Sequence, residues 1–234
     1  MEHLRYGKRA TDFIDTSHLS DPAIATDNTV GNKKPAEITL PSSLTWDETT
    51  QLLRKTNQIY RDLLRRADDI GKDNPMASNL YEGLIFLALW DASDRKISVE
   101  ELRTISEEMM SFPLLKAMGL MINANKKSGM ARIAKMMHKD AAWLEAHPQY
   151  KAYSWDFHFD ETKHQDGFYY HFTQCPLNTF ARKEGYLEVL PIMCDIDYKT
   201  AALMHAKLYR DHTLAGGGEV CDYWFVGDKV ENPK

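Results

Sequence analysis

Residues 173–225 read TQCPLNTFARKEGYLEVLPIMCDIDYKTAALMHAKLYRDHTLAGGGEVCDYWF and hold all three cysteines of the chain, Cys175, Cys194 and Cys221. Cys175-Pro176 closes a strand. Leu177 to Glu184 then has the spacing of a short helix, ended by Gly185, because glycine enters the left-handed conformation of a helix C-terminus without steric cost. A helix or two follows from Tyr186 through Leu208, with Pro191 at a joint. The stretch closes with a predicted hairpin in which Leu208–Thr213 pairs with Glu219–Val226 across AGGG. That glycine run is not a nucleotide-phosphate loop, since it leads from strand to strand and no Lys-Ser/Thr follows it.

Immediately upstream, Tyr153, Trp155, Phe157 and Phe159 alternate with Ser154, Asp156, His158 and Asp160, the period of a half-buried strand. ETKHQDG is the turn. Phe168, Tyr170 and Phe172 then form one face of a second strand, and Tyr169, His171 and Thr173 the other. Two aromatic strands joined by a short loop predict a β-hairpin. Residues 151–234 therefore read strand-strand-helix-helix-strand-strand: an α+β fold with an antiparallel sheet packed by helices.

Before Pro148 the period is helical. Thr45-x-x-Glu48 is a capping box, in which each side chain satisfies an amide left unpaired at the helix start. The apolar stripe that follows, from Leu52 and Leu53 to Ile70, makes one buried face, with Gly71 as its expected cap. Residues 78–92 are apolar nearly all round, which predicts a central helix. Ser98-x-x-Glu101 is a second capping box, opening a helix that runs to about Ser111. The connection DASDRKISVEE resembles a calcium loop only superficially: it lacks the glycine, and Arg95 stands where a carboxylate is needed. From Pro113 to His147 the pattern stays helical, broken near Asn125 to Gly129, with a methionine cluster (Met118, Met121, Met130, Met136, Met137) that reads as core. Residues 1–44 lack a period and are expected to be an arm or tail. The division is thus 1–44, a helical region 45–150 and the α+β region 151–234, the last two able to pack as one domain.

The chain has 234 residues, 43% of them hydrophobic, and a formal net charge of −5. That charge argues against a nucleic-acid binder, which usually carries a basic face. No apolar run approaches the ~20 residues that span a bilayer, and no apolar segment near the N-terminus reads as a secretory signal. An odd, low cysteine count argues against a disulfide framework and for a reducing cytoplasm. The cysteines stand 19 and 27 residues apart (175 to 194, 194 to 221), which matches no compact zinc pattern. No metal or cofactor is expected.

The chemistry-bearing residues cluster at the same cysteines. Cys194-Asp195-x-Asp197 follows Pro191 and is expected to open a helix, where the dipole favours thiolate and the carboxylates oppose it. Cys175 stands at a strand-to-helix junction, four residues after His171, and even offsets put His171, Thr173 and Cys175 on one strand face. Cys221 and Asp222 are neighbours on a strand, so only one of them can face a given site. The expectation that links these is spatial: three thiols distant in sequence meet in one cleft between sheet and helices.

The run from Cys175 to Phe225 resembles the C-terminal signature of the L-2-amino-thiazoline-4-carboxylic acid hydrolase family. The residues that carry the resemblance are Cys175, Pro176, Gly185, Pro191, Cys194, Asp197, Thr213, Gly217, Gly218, Cys221 and Asp222. It covers the chain well from about residue 175 onward, the helical half only in layout, and residues 1–44 not at all. More faintly, the order of elements is similar to vinyl-reductase-type ligand-sensing domains, which implies a non-catalytic small-ligand-binding domain as the alternative.

The resemblance to the hydrolases implies hydrolytic opening of a cyclic isothiourea, such as 2-amino-thiazoline-4-carboxylate, to an N-carbamoyl amino acid. Such a reaction needs a nucleophile, a proton carrier and a carboxylate to hold the cationic amidine. Cys194 or Cys175 supplies the first, His171 or His212 the second, and Asp195, Asp197 or Asp222 the third. Arg210 or helix-start amides are expected to hold the substrate carboxylate, with Thr213, Gly217, Gly218, Cys221 and Asp222 lining the substrate site. The expected partner is a small molecule, with no nucleic acid and no membrane; self-association is left open.

Overall fold

The structure, a computed structural model, describes residues 46–109 and 122–234. The expected arm 1–44, Thr45 of the first capping box and the segment 113–121, with Met118 and Met121, lie outside the described residues. Among the described residues the helices α1 (Trp46–Arg66), α2 (Ala77–Ala92), α3 (Val99–Met109) and α4 (Lys127–Ala146) come first. A 3-10 turn, Pro148–Tyr150, leads to strands β1 (His158–Phe159) and β2 (Phe168–Phe172). Helices α5 (Pro176–Glu184) and α6 (Leu190–Leu203) follow, then β3 (Ala206–Tyr209) and β4 (Cys221–Gly227). The fold is α+β, and its strand-strand-helix-helix-strand-strand order is the one the sequence predicts. No helix among the described residues is long and apolar enough to cross a membrane.

Helix α2 is the axis of the helical layer. Leu80, Leu84 and Leu87 are fully or almost fully buried, and so is Leu63 of α1 packed beside it. At about 1.5–3 kcal/mol for each such side chain, packing around α2 outweighs any difference in local helix propensity. Its Gly83 lets α5 approach: a Cβ there would lie 2.5 Å from a methyl of Leu177. The second capping box forms as expected. The Ser98 amide donates to Glu101 Oε2 at 2.8 Å, and the Glu101 amide to Ser98 Oγ at 3.2 Å. The first helix ends earlier than its apolar stripe suggests. Gly71 has φ +91° but sits in the connection beyond Arg66, where Trp143 and Tyr150 crowd it.

The sheet is antiparallel in the order β1-β2-β4-β3. Register sets its two faces, because directly paired residues share a side. Phe168 pairs with Phe225, Tyr170 with Tyr223 and Phe172 with Cys221, and these make the inner face against the core. Tyr169 pairs with Trp224 and His171 with Asp222 on the outer face. One buried cluster runs from Tyr60 of α1 to Phe225 of β4, so the helices and the sheet share a core.

The first strand is shorter than the alternation predicts. Only His158 and Phe159 pair with β2, opposite His171 and Tyr170. The backbone before them is taken by side chains instead: Gln174 Nε2 donates to the carbonyls of Ser154 and Lys151, and Asp156 accepts the amides of Thr173 and Gln174. The last hairpin also begins earlier. The helix ends at Leu203, β3 stops at Tyr209, and the segment from Arg210 to Val220 is loop.

Candidate active site

Helix α5 begins where the sequence places it. Cys175 is its N-cap residue, extended at φ −139° and ψ 117°, Pro176 fills the first turn, and Gly185 caps the other end at φ +79°. Burial pushes the Cys175 thiol up to about 12, against the polarity of the neighbouring backbone at Asn178 and Leu177 and of the Trp155 side chain.

Cys194 is not at a helix start. Helix α6 begins at Leu190 with Pro191 in its first turn, so Cys194 lies in the second turn, beyond the strongest influence of the dipole. Asp197 is three residues on, which puts it on the same helix face as Cys194. Burial raises the Cys194 thiol, and the Asp197 charge raises it further. Asp195 points elsewhere and forms an ion pair with Arg103 of α3.

Cys221 opens β4 on the inner face, and its sulfur accepts the Leu214 amide at 3.1 Å. Burial raises its thiol too, against the Leu214 amide and the Arg210 charge. The three sulfurs belong to one electrostatic neighbourhood. Cys194 is disfavoured as thiolate by both Cys175 and Cys221, and Cys175 by Cys221. The structure thus brings together three thiols from a helix cap, a helix interior and a strand start.

Arg210 ties this neighbourhood together. Its side chain is 2% exposed, with Nη2 donating to Asp197 Oδ2 at 2.8 Å, Nη1 to the Cys194 carbonyl at 2.9 Å and Nε to the Asp222 carbonyl at 3.1 Å. The guanidinium carbon lies 4.0 Å from the centre of the Tyr223 ring, and the Tyr223 hydroxyl donates to Asp197 Oδ2 at 2.9 Å. Arg210 is therefore a structural cation with every nitrogen engaged, not a free clamp for a substrate carboxylate.

Both bonds to Asp197 fall on Oδ2, and Oδ1 takes no protein hydrogen bond among the described residues. Asp197 keeps 35% of its side-chain surface although the surrounding protein strips it of water and raises its carboxyl, with Arg210 opposing. Cys175, Cys194 and Tyr223 are partly exposed as well.

Other expected site residues are placed apart or engaged in holding the loop. His171 is on the outer face, stacked on His158 at 4.9 Å, and burial lowers its basicity. The strand ends at Phe172, so the even offset from His171 to Cys175 no longer fixes a common face. Asp222 also lies on the outer face, where its oxygens accept the amides of Asp211 at 3.0 Å and His212 at 2.7 Å. It anchors the β3–β4 loop. His212 is exposed. Thr213 Oγ1 and its carbonyl accept amides of the glycine run, and Gly217 needs its positive φ of 87° to make that turn. Tyr223, which contacts Asp197 and Arg210, is not singled out by the sequence. Among the described residues, no group of three or more His, Cys, Asp or Glu side chains is arranged to hold a metal ion.

A model of the L-2-amino-thiazoline-4-carboxylic acid hydrolase family matches residues 78–225. The chain belongs to this family. The match reaches back to α2, well beyond the C-terminal signature, and so takes in the helix that supports α5 as well as all three cysteines. No curated protein and no solved structure matches the chain significantly.

Proposed function

We propose that the chain hydrolyses a C–S or C–N bond of a small cyclic amidine or isothiourea, with 2-amino-thiazoline-4-carboxylate as the reference substrate. What supports this reading is the shared electrostatic neighbourhood of Cys175, Cys194 and Asp197, in a chain that belongs to a hydrolase family. Asp197 Oδ1 accepts an N–H of the protonated amidine. Cys175 is favoured over Cys194 as the nucleophile, because the Asp197 charge opposes a thiolate at Cys194. The Cys175 thiolate adds to the carbon between sulfur and nitrogen, the ring sulfur leaves with a proton, and water releases the carbamoyl product.

A second reading has its own support. All three thiols are raised by burial in the free protein, which suits a domain that binds an amidine without covalent chemistry.

Turnover of 2-amino-thiazoline-4-carboxylate by the wild type and by Cys175→Ser, Cys194→Ser and Cys221→Ser separates the two. The expected result is turnover by the wild type and a loss of about a thousandfold or more in Cys175→Ser. Wild-type turnover that no substitution slows refutes thiol catalysis. A wild type inert with this compound and related cyclic amidines refutes the hydrolase reading.

A further inference from the structure

We propose that β1 is an acid-released edge strand: the facing pair His158 and His171 triggers the release, and Asp156 transmits it to the turn that carries Cys175. The device is independent of the reaction the cysteines perform. β1 joins the sheet through only two residue pairs, His158 with His171 and Phe159 with Tyr170. One of the two is thus a pair of imidazoles, stacked with centroids 4.9 Å apart and planes 16° from parallel. Neutral rings pack in that arrangement, whereas two imidazolium ions directly opposed across a ladder repel each other.

The surroundings decide which ring can take a charge. His158 Nε2 donates to Asp156 Oδ2 at 2.8 Å, so a positive charge on His158 meets a carboxylate. His171 is placed differently: its Nδ1 is buried and has no hydrogen-bond partner in the protein. A charged imidazole donates from both nitrogens, so protonation there leaves a buried N–H unpaired. Lys163 of the β1–β2 loop adds repulsion at His171. Asp156 and Asp222 of β4 oppose it, but the Asp222 oxygens already accept the amides of Asp211 and His212. The Tyr169 ring lies 5.9 Å from His171 on the same strand, and His138 of α4 meets β1 on its other face, over Phe159 at 4.0 Å. Burial, His158 and Lys163 together hold His171 below the ordinary imidazole range. Folded His171 therefore sheds its proton. Its contribution to stability is full above the ordinary value of about 6.5 and is lost as pH falls through the depressed one.

The release of β1 does not stop at the sheet edge. Asp156 also accepts the amides of Thr173 at 2.8 Å and Gln174 at 2.6 Å, and the Thr173 hydroxyl. The Gln174 side chain in turn holds the carbonyls of Ser154 and Lys151. Cys175 is the next residue and the N-cap of α5. When β1 parts from β2 in acid, Asp156 moves with it, and the turn before Cys175 loses its anchor.

The test uses the full chain between pH 7.5 and pH 5. Imidazole titrations are followed by NMR, and amide protection by hydrogen exchange corrected for intrinsic rates. His171 is expected to titrate below pH 6.5 in the wild type. In His158→Phe it is expected to titrate about half a pH unit higher, the effect of removing one unit charge 4.9 Å away in water. On acidification the wild-type amides of Thr173 and Gln174 are expected to lose protection about threefold to tenfold, the factor that this repulsion supplies, while those of α2 keep theirs. His171→Phe keeps a stacked ring but cannot take the charge, and in it the loss is expected to vanish. Wild-type Thr173 and Gln174 amides that keep their protection in acid overturn the proposal. So does an equal loss in His171→Phe, and so does a His171 titration unmoved in His158→Phe. A loss shared by α2 marks global unfolding and overturns it as well.

Discussion

Arg210→Met removes the cation that joins α6, β4 and the loop, while keeping much of the aliphatic bulk over Tyr223. Asp197 is left desolvated and uncompensated. Breaking a fully buried pair costs about 3–5 kcal/mol, and the 35% exposure of Asp197 lets water screen part of that, so about 2–3 kcal/mol is expected. The carbonyls of Cys194 and Asp222 lose their donors, which adds about 1 kcal/mol each. The total of about 4–5 kcal/mol corresponds to a fall in Tm of roughly 10–20 °C for a chain of this size. The loss should depend on pH in a defined direction. Burial already raises the Asp197 carboxyl above its unfolded value, so the folded state binds the extra proton. Stability contributed by this group is therefore greatest below the ordinary carboxylate range and falls as pH rises through the raised value. Without Arg210 that value climbs further, and the window moves toward neutrality. Calorimetric scans from pH 5 to pH 8 are expected to show the deficit of Arg210→Met shrinking on acidification, while Arg210→Lys loses less at every pH. A deficit that is constant across the range refutes the assignment of Arg210 as the counter-charge of Asp197.

Two further outcomes follow from the packing and the thiols. Gly83→Ala places a methyl group against Leu177, costs about 1–3 kcal/mol by overpacking, and shifts α5 with Cys175 at its start; both Tm and kcat should fall, and a fall in Tm alone argues that α5 does not position the reacting groups. Alkylation of Cys175 by iodoacetamide near neutral pH should be about tenfold to a hundredfold slower than for an exposed thiol, rising with pH and reaching no plateau before pH 10. Mass spectrometry of the modified peptide checks this, and fast labelling at neutral pH contradicts the burial argument.

What the sequence reveals and what it hides divide along the range of the physics involved. Local signals held: the Cys175-Pro176 cap, the Gly185 terminus, the Ser98–Glu101 box and the apolar girth of α2 are all set by a few neighbouring residues. Errors came where an element ended a few residues from where its pattern did. Pro191 reads as a joint close to Cys194, but proline is tolerated in a first turn, and the helix begins at Leu190. Strand parity carried His171 to the side of Cys175, yet the ladder stops at Phe172, and parity has no force in the turn that follows. Asp222 matches a family position but uses both oxygens to hold backbone amides, a role that depends on a loop folding back from ten residues away.

The raised thiols and the proposed chemistry fit together once the charge of the ligand is included. In the free protein three thiols raised by burial share the electrostatic neighbourhood of a carboxylate that is already paired with Arg210. Every thiolate formed there meets burial, and Cys194 also meets Asp197. A bound amidinium changes the sign of that environment: a positive charge close to sulfur lowers a thiol pKa, while the ring it belongs to displaces water. On the proposed reading, the nucleophile forms with a cation in place. In the proposed reaction, then, substrate binding and thiol activation are one event. The expected signature is a kcat/KM that falls as the substrate amidine loses its proton, at a pH set by the substrate and not by any cysteine.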